Sequence, residues 1–141
     1  MIGLTCTPTT FRLVKRYPVR WLDWHADFEK AQALWPPTSP LTPEAWRDAR
    51  LAAYRYCGVV ERTTLIACAA VWRYSETAWE VAAVSTRPEY RRRGYGQAVV
   101  AFVTGYILQQ GRVATCHMAA DNVAMQRTAE RVGFVETSPA T

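Results

Sequence analysis

Arginine and glycine are concentrated in one short turn of the chain, between an apolar strand-like run and a helix-like run. The turn contains Arg91, Arg92 and Arg93, followed by Gly94 and Gly96. Glycine adopts backbone angles that other residues avoid, and it lets a ligand approach the main chain closely. Unpaired amides at a helix start, together with the positive end of the helix dipole, favour an anion, and nearby arginines add charge. The turn therefore has the composition of a phosphate-binding site.

Other interpretations of this turn remain open. A run of three arginines is more often a solvated surface, and the glycine pattern alone is weak support for a ligand site. The turn is not a G-x-x-x-x-G-K-[ST] phosphate loop, because neither Lys-Ser nor Lys-Thr follows. It is not a G-x-G-x-x-G dinucleotide turn either, because the third glycine is missing. If the turn binds phosphate, it does so as another type of site.

Two segments together carry a resemblance to a known family. The first is the strand-like run 79–86, the arginine and glycine turn, and the helix-like run after it. The second is the strand-like run 113–118, a helix led by Asn122, and the closing pair Gly133 and Phe134. In order and spacing, these segments resemble the acyl-CoA pyrophosphate loop and the following strand and helix of the GNAT superfamily of N-acetyltransferases. The resemblance covers residues 79–134.

The resemblance implies a fold class and a cosubstrate. The fold is expected to be α/β, of the mixed α+β kind, with a three-layer GNAT-like arrangement. A central mixed, mostly antiparallel twisted sheet of about six strands would be flanked by about four helices. Acetyl-CoA is the expected cosubstrate, and no metal is expected. The residues expected to bind it are Val84, Ser85, Thr86, Arg91, Arg92, Arg93, Gly94, Tyr95, Gly96, Gln97 and Asn122.

The main chain of the strand before the turn is expected to contact the pantetheine arm of acetyl-CoA. In GNAT folds this strand and the strand at 113–118 diverge, and the arm lies in the gap between them. A bulge near the middle of the first strand would leave N–H and C=O groups free to pair with the arm. By resemblance, Val84, Ser85 and Thr86 make that contact, and the backbone around Val84 polarises the thioester oxygen.

A general base is needed, because an ammonium has no lone pair with which to attack a thioester. A partly shielded carboxylate can take the amine proton directly or through water. Glu80 lies on the strand that leads into the turn, where the histone-acetylating branch of the family has its glutamate base. The alternative is that Glu80 faces solvent or pairs with an arginine such as Arg73. Glu76 in the preceding turn is a weaker candidate.

The usual general acid of the family is absent from this sequence. Relatives often place a tyrosine on the last helix, seven residues after its leading asparagine, to protonate the departing thiolate. This chain has Ala129 at that position. His117 has a suitable intrinsic pKa, although a lone strand histidine is more often a packed or hydrogen-bonded residue. By resemblance, Asn122 would both cap the N-terminus of its helix and contact CoA. An asparagine that only caps the helix would give the same sequence pattern.

Composition is consistent with one enzyme domain spanning residues 1–141. Half of the residues are apolar, which suffices for a sizeable core. The net charge of +5 would suit a nucleic acid, but acyl-CoA is itself a polyanion and three of the arginines belong to the proposed phosphate turn. The sequence shows neither a leader nor a membrane-length apolar run, so we expect a cytoplasmic protein. Four dispersed cysteines are expected to be buried thiols, without disulfide or zinc.

The remaining pattern predicts the other elements. A first strand is expected at 11–14 and a helix at 21–34, followed by a proline-rich loop. Thr42 has the character of a helix N-cap with Pro43 in the first turn, and that helix is expected to run toward Tyr54. Three strands with tight turns then imply an antiparallel meander. Their expected ranges are 56–61, 65–74 and 79–86.

The acceptor site is expected to be built by the N-terminal half of the chain. Four tryptophans there would line an apolar acceptor pocket, although a core or dimer-interface role is commoner for such residues. Acidic residues of the first helix would attract an amine, although such charges usually mark only the solvent-exposed face of an amphipathic helix. These candidates are Trp21, Trp24, Trp35, Trp46, Asp23, Asp27 and Glu29.

The expected function is transfer of an acetyl group from acetyl-CoA to a primary amine by direct attack in a ternary complex. The acceptor itself stays open between a small amine, an antibiotic, a peptide terminus and a protein lysine. Two alternatives remain: a non-catalytic acyl-CoA sensor of the same fold, and an arginine-driven nucleic-acid module. Because few residues follow Phe134, the last strand should be short. The sheet edge would then be open or covered by a second subunit in a homodimer.

Overall fold

A computed structural model describes residues 1–137 as seven strands and four α-helices around one sheet. The strands are β1 (Ile2–Cys6), β2 (Arg20–Trp21), β3 (Tyr54–Glu61), β4 (Thr64–Trp72), β5 (Ala78–Thr86), β6 (Val113–Met118) and β7 (Val135–Glu136). The helices are α1 (Phe28–Leu34), α2 (Pro43–Leu51), α3 (Tyr95–Gln109) and α4 (Val123–Val132). A short 3-10 turn, Pro88–Tyr90, precedes α3.

The strand order across the sheet is β2-β3-β4-β5-β6-β1-β7. β3, β4 and β5 form the predicted antiparallel meander. β5 and β6 are parallel, because α3 carries the chain across the sheet between them, and β1 is antiparallel to both of its neighbours. The mixed, mostly antiparallel sheet is therefore confirmed, with seven strands rather than about six.

Helices cover the two faces of the sheet unequally. On one face, α3 packs on β4 and β5 and also contacts α4, above a core that includes Val99, Val103 and Ile107. On the other face, α1 contacts β4 and α2 contacts β3, above a smaller core around Trp46 and Leu65. We call the face that carries α1 and α2 the acceptor face. Its β5 and β6 end has few helical contacts, so side chains there are accessible.

The first strand is Ile2–Cys6, and the predicted strand at 11–14 is wrong. Leu4 and Cys6 are buried where β1 fills the gap between β6 and β7, so the pairing of β1 depends on strands more than a hundred residues away. The apolar residues at 11–14 instead belong to an irregular segment that crosses α3, where the Phe11 ring contacts Gly105. β7 is short, as expected, and it is an edge strand of the sheet that pairs with β1 on its inner side.

The predicted helix at 21–34 is also wrong in its first part. Trp21 ends the edge strand β2, and the helix begins only at Phe28. The intervening turn is held by carboxylates: Asp23 Oδ2 accepts from the His25 and Ala26 amides at 2.9 and 2.6 Å. Short acidic side chains compete in this way with helical hydrogen bonding.

The next helix begins as expected. Thr42 Oγ1 accepts from the Ala45 amide at 3.1 Å, and Pro43 is the first helical residue. The cysteines also agree with expectation, because Cys6, Cys57, Cys68 and Cys116 are all free and buried. Within residues 1–137, no helix is both long and apolar enough to cross a membrane.

Candidate active site

β5 and β6 diverge after a short paired stretch. Parallel pairing joins Ala78 to Val113, Trp79 to Ala114 and Glu80 to Thr115, and no further pairs follow among the described residues. Beyond Glu80, the edge of β5 that faces β6 therefore carries main-chain groups without a ladder partner. This divergence was expected from the family resemblance, and it opens a cleft through the middle of the sheet.

A β-bulge lies in β5 beside this cleft. The pairing with β4 shifts register, so that Ala70 faces Ala82 whereas Cys68 faces Ser85. Ala83 takes up the extra length with a left-handed φ of 54°, and its carbonyl accepts a hydrogen bond from the Cys68 thiol at 3.5 Å. The bulge turns the Val84 backbone out of the ladder, as was expected near the middle of this strand.

The turn after β5 leaves the first amides of α3 free. Gly94 has a φ of 90°, a left-handed conformation that favours glycine, and no side chain caps the helix. The first helical hydrogen bond runs from the Ala98 amide to the Gly94 carbonyl at 3.0 Å. Among the described residues, the amides of Tyr95, Gly96 and Gln97 have no acceptor. Their free N–H groups lie at the positive end of a 15-residue helix, an arrangement that attracts anions.

Gly96 is not required by the packing of the protein itself. A β-carbon at this position would meet only Thr86 and Thr128, at ordinary distances of 3.7 and 3.9 Å. Glycine within a helix costs about 1 kcal/mol relative to alanine. Its presence here therefore fits a close approach of a ligand to the main chain better than a packing demand.

The three arginines of the turn are exposed, and each has a distinct arrangement. Arg91 Nε donates to the Thr86 carbonyl at 3.2 Å, which holds the turn against the end of β5. Arg92 has a left-handed φ of 64°. The Arg93 guanidinium lies 5.5 Å from the centre of the Tyr90 ring. None of the three guanidinium groups has a carboxylate partner among the described residues.

The sequence analysis missed Tyr17, which supports the turn from the segment that crosses α3. Its ring stacks on Tyr95 with 4.0 Å between centroids, and its hydroxyl donates to the Arg93 carbonyl at 2.6 Å. Tyr95 is itself buried, so only its main chain is available to a ligand. Tyr17 lies in an irregular segment with no periodicity, which is why no sequence pattern identified it.

Glu80 lies where the strands diverge, on the acceptor face, and binds neighbours on β6. Its Oε1 accepts from His117 Nδ1 at 2.5 Å and from Thr115 Oγ1 at 3.1 Å. The Tyr74 hydroxyl lies 3.2 Å from Thr115 Oγ1 and extends the network. The Glu80 side chain is 17% exposed, whereas that of His117 is 45% exposed, so an approaching molecule reaches the imidazole more easily.

The ion pair between Glu80 and Arg73 that the sequence suggested as an alternative is not formed. Arg73 Nε instead donates to the Ala53 carbonyl at 3.2 Å. Glu76 is exposed in the turn between β4 and β5. The sequence could not reveal the contact with His117, because it depends on the register of two strands 37 positions apart.

The Glu80 carboxylate also affects nearby groups. Burial, with a smaller contribution from Glu80, raises the pKa of Cys116 to about 12. The same two causes raise the pKa of Tyr54 above its ordinary value. Cys116 is directed to the opposite face of the sheet, where it belongs to the main core. Its thiol is therefore protonated near neutral pH.

Asn122 and Ala129 lie on the helix that borders the cleft. Asn122 Oδ1 accepts from the Met125 amide at 3.2 Å and so caps α4, which accounts for this residue even without a ligand. Ala129 is fully buried in the core under α4. No hydroxyl is available at the position where relatives often have a tyrosine.

The predicted tryptophans do not line the cleft. Trp46 is buried in the smaller core, and Trp24 and Trp35 pack against that core. Trp21 lies on the other face of the sheet, against Phe102 and Tyr106. Asp27 is buried in an ion pair with Arg20 at 2.8 Å, so it is not available to attract an amine.

A row of other aromatic rings leads toward Glu80 on the acceptor face. Tyr54 and Trp72 are stacked with 5.5 Å between centroids, and Trp72 and Tyr74 lie 5.0 Å apart. Trp72 faces Glu80 directly across the β4 and β5 pair. Alternation of side chains along the strands predicts that these rings share one face of the sheet. Only the register between β4 and β5 brings them beside the Glu80 carboxylate.

A separate groove of about 500 Å³ lies between α3 and the segment from Phe11 to Val19. Its lining contains Trp21 but none of the residues expected to bind acetyl-CoA or to act as the base, and it is on the opposite face of the sheet from Glu80. Within the described part of the chain, no three His, Cys, Asp or Glu side chains are arranged to hold a metal ion.

A known protein family matches most of this chain. The model of the acetyltransferase (GNAT) family matches residues 18–134, which is most of the chain. The chain therefore belongs to the GNAT acetyltransferase family. A comparison with curated protein sequences gives no significant match.

Solved structures share the same fold. A GNAT-family acetyltransferase from Novosphingobium aromaticivorans has a TM-score of 0.76 and 24% identity, over 96% of this chain and 59% of that one. AAC(6')-Iy, in complex with the bisubstrate analogue CoA-S-monomethyl-acetylneamine, has a TM-score of 0.71 and 15% identity, over 88% of this chain and 94% of that one. The ribosomal-protein-S18-alanine N-acetyltransferase of Escherichia coli has a TM-score of 0.69 and 18% identity, over 86% of this chain and 79% of that one.

These likenesses, all below 25% identity, show the fold alone. The chain spans between 52% and 59% of the length of three of the matched structures.

Proposed function

We propose that this protein is an acetyl-CoA-dependent N-acetyltransferase that transfers the acetyl group directly to a primary amine. One observation carries the proposal. A single strand, β5, begins at the Glu80 network, passes through the bulge at Ala83, and ends at the turn that leads into the free amides of α3. A thioester carrier and an amine held along this strand would meet near the Glu80–His117 pair.

The carrier would be held mainly by main-chain groups. The free amides at the start of α3 and the guanidinium groups of the turn suit a diphosphate. The unpaired edge of β5 around Val84, Ser85 and Thr86 suits the amide-bearing pantetheine arm, which can pair with it like a short strand. An N–H group of the bulge would stabilise negative charge on the thioester oxygen, an effect commonly worth about 3 kcal/mol of barrier.

The amine would approach from the acceptor face, where the aromatic row and the Glu80–His117 pair are accessible. Its nitrogen attacks the carbonyl carbon, the C–S bond breaks, and the electron pair leaves with sulfur. The amine proton leaves through the Glu80–His117 pair. Close placement of both reactants supplies much of the acceleration, since an intramolecular reaction avoids the entropy cost of an encounter.

Direct transfer is supported over a covalent acyl-enzyme by the state of the cysteines. All four are buried, and burial raises the pKa of each thiol above its ordinary value. The attacking form of cysteine is the thiolate, which such burial disfavours. A two-step route through a cysteine thioester is therefore not supported.

A second candidate function is a non-catalytic acyl-CoA sensor of the same fold. The buried Ala129, where relatives often have a tyrosine acid, favours it. The Glu80 network favours catalysis, because an accessible carboxylate–imidazole pair beside the cleft has no evident structural need.

Turnover decides between the two candidates. Wild-type protein is incubated with acetyl-CoA and a panel of primary amines, and release of free CoA thiol is followed. The double variant Glu80→Gln with His117→Gln should lose about 100-fold in turnover, within the range of general base catalysis. Its binding of acetyl-CoA, measured by calorimetry, should be unchanged. Glu76→Gln is the matched control, and it should behave as wild type.

Acetyl-CoA binding without turnover by the wild-type protein would favour the sensor. Absence of binding would rule out both candidates.

A further inference from the structure

We infer that His117, rather than Glu80, is the group that takes the proton from the amine, and that Glu80 and Gly3 position its imidazole. This inference rests on the proposed acetyltransferase function and assigns separate roles within the pair. It makes the N-terminal strand β1 part of the catalytic apparatus.

The hydrogen bond between Glu80 and His117 defines which nitrogen of the imidazole is free to accept a proton. The Glu80 carboxylate only accepts hydrogen bonds when ionised, so His117 Nδ1 must carry the proton that joins them at 2.5 Å. In the neutral imidazole, Nε2 then has the lone pair. No hydrogen bond from a described residue reaches Nε2, and the side chain is 45% exposed. The free base of the pair is therefore Nε2.

Glu80 is less well placed to be the base itself. Its Oε1 already accepts from both Thr115 and His117, and its side chain is only 17% exposed. A general base works best when its pKa lies near the working pH, and an imidazole is intrinsically closer to neutrality than a carboxylate. A carboxylate behind an imidazole fixes the tautomer and stabilises the imidazolium that forms.

Gly3 provides space for the ring on the neighbouring strand. It pairs with His117 in the β1 and β6 ladder, and a β-carbon at Gly3 would lie 3.1 Å from Nε2 and 3.2 Å from Cδ2 of His117. Such contacts are tighter than ordinary van der Waals distances, and no other atom lies as close. Any side chain at position 3 would therefore displace the imidazole in particular.

The step balances without a further reactant. The amine nitrogen forms a bond to the carbonyl carbon, the C–S bond breaks with its electron pair on sulfur, and the amine proton moves to Nε2. The imidazolium then returns this proton to the thiolate or to solvent. The titratable groups that face the pair are Tyr74, through Thr115, and Tyr54, near Glu80, while β1 contributes only Gly3.

Kinetics against pH separate the roles of the two residues. The assay uses acetyl-CoA and whichever panel amine the wild-type protein acetylates fastest. His117→Gln should lower kcat about 100-fold and remove the acidic limb of the kcat profile that belongs to the imidazole. Glu80→Gln should lower kcat only about 10-fold, because the amide oxygen still accepts from Nδ1. Its acidic limb should remain, because the imidazole is still present.

Gly3→Ala tests the position of the imidazole without removing any reacting group. We expect kcat to fall about fivefold while the KM for acetyl-CoA stays unchanged. Gly105→Ala is the matched control, because a β-carbon there would meet only the Phe11 ring, at 3.7 Å. It should leave kcat unchanged.

A histidine NMR titration gives a readout that does not depend on turnover. The chain has only two histidines, so His25→Gln and His117→Gln assign both imidazole signals. The His117 signals should shift both in Gly3→Ala, which moves the ring, and in Glu80→Gln, which changes the partner of Nδ1, whereas His25 should not respond to either change.

The proposal is overturned if His117→Gln retains the acidic limb while Glu80→Gln loses it, because the carboxylate is then the base. It is equally overturned if the His117 NMR signals are the same in Glu80→Gln as in wild type. Failure of the proposed function looks different, since the wild-type protein would then release no CoA thiol with any amine.

Discussion

The two ends of the cleft are built in different ways. The end that is proposed to hold the diphosphate, here called the phosphate end, comes from one continuous stretch, from the bulge at Ala83 to the first turn of α3. The end where the amine is proposed to bind, here called the amine end, is assembled from β1, β5, β6 and the turn that contains Tyr74. Its hydrogen bonds join residues 37 and 41 positions apart, and strand pairing brings Gly3 of β1 beside His117 of β6. A local motif can therefore identify the first end, whereas the second exists only once the sheet has its correct register.

The largest expected effect outside the Glu80–His117 pair concerns the phosphate end. Changing Arg91, Arg92 and Arg93 together to Gln removes the charge around the free amides. We expect the affinity for acetyl-CoA to fall about 100-fold, since charge-assisted contacts to phosphate are among the stronger ones. Calorimetry at low and high salt measures this, and the salt dependence of the remaining affinity should be smaller.

The matched control for this variant neutralises Arg47, Arg50 and Arg131, which are equally exposed. Both triple variants lower the formal net charge from +5 to +2, so a loss specific to the turn reports local contacts. Equal losses in the two variants would mean that only the overall field matters, and the phosphate end would lose its assignment.

The next largest effect concerns the stability of the acceptor side. Asp27 is 3% exposed and accepts from Arg20 at 2.8 and 3.0 Å and from the Asp23 amide at 2.7 Å. These contacts, led by the Arg20 hydrogen bond, hold the pKa of Asp27 well below its ordinary value. Asp27→Asn keeps the shape but loses the charge, and it should lower the free energy of unfolding by about 2 kcal/mol at pH 7.

The pH dependence of this effect has a definite sign. Because the pKa of Asp27 is lower in the folded than in the unfolded protein, its contribution is present above about pH 4 and is lost below it. Urea unfolding at pH 7 and pH 3 should therefore show a smaller difference between wild type and Asp27→Asn at the lower pH. A difference that is constant across this range would contradict the ion-pair explanation.

A smaller effect tests the aromatic row beside Glu80. Trp72→Leu removes the indole that stacks on Tyr54 and faces the carboxylate strand. We expect the KM for the amine to rise about 10-fold, because loss of a packed ring costs on the order of 1 kcal/mol or more. The KM for acetyl-CoA should change little, since the phosphate end is untouched.

Trp21→Leu is the control for this variant, because Trp21 packs against Phe102 and Tyr106 on the opposite face. It should leave both KM values unchanged. If the two variants alter the KM for the amine equally, the aromatic row has no specific role in acceptor binding.

Sequence reasoning was most accurate where the determining interactions are local. The meander, the Thr42 cap and the strand 113–118 follow from short-range patterns, and each is present. The bulge in β5, which is also present, was expected only from the family resemblance. The short-range patterns depend on alternation, capping and turn chemistry within a few residues. The fold class was predictable for the same reason.

The failures occur where distant parts of the chain decide the outcome. The residues at 11–14 are as apolar as a strand, but packing on α3 determines their conformation, while β1 takes its place from partners near the C-terminus. His117 was read as a lone strand histidine, because nothing in its neighbourhood in sequence indicates a carboxylate partner. Both results depend on register, which a single sequence does not encode locally.

The smallest predicted effect concerns Tyr17, through which the long segment before β2 contacts the phosphate end. Tyr17→Phe keeps the stack on Tyr95 and removes only the hydroxyl that donates to the Arg93 carbonyl at 2.6 Å. One such hydrogen bond is worth about 1 kcal/mol net. We expect about a threefold loss of affinity for acetyl-CoA in calorimetry, with kcat at saturation unchanged.

Tyr106→Phe provides the comparison for this change, because the Tyr106 ring also stacks on another aromatic ring, that of Trp79, but its hydroxyl makes no hydrogen bond to any described residue. A measurable loss in Tyr17→Phe alone would show that even the phosphate end needs one long-range contact, in addition to the local motif that identifies it. Equal affinity in the two variants would instead mean that the turn holds its shape without Tyr17, and the contrast between a local and an assembled end of the cleft would be sharper.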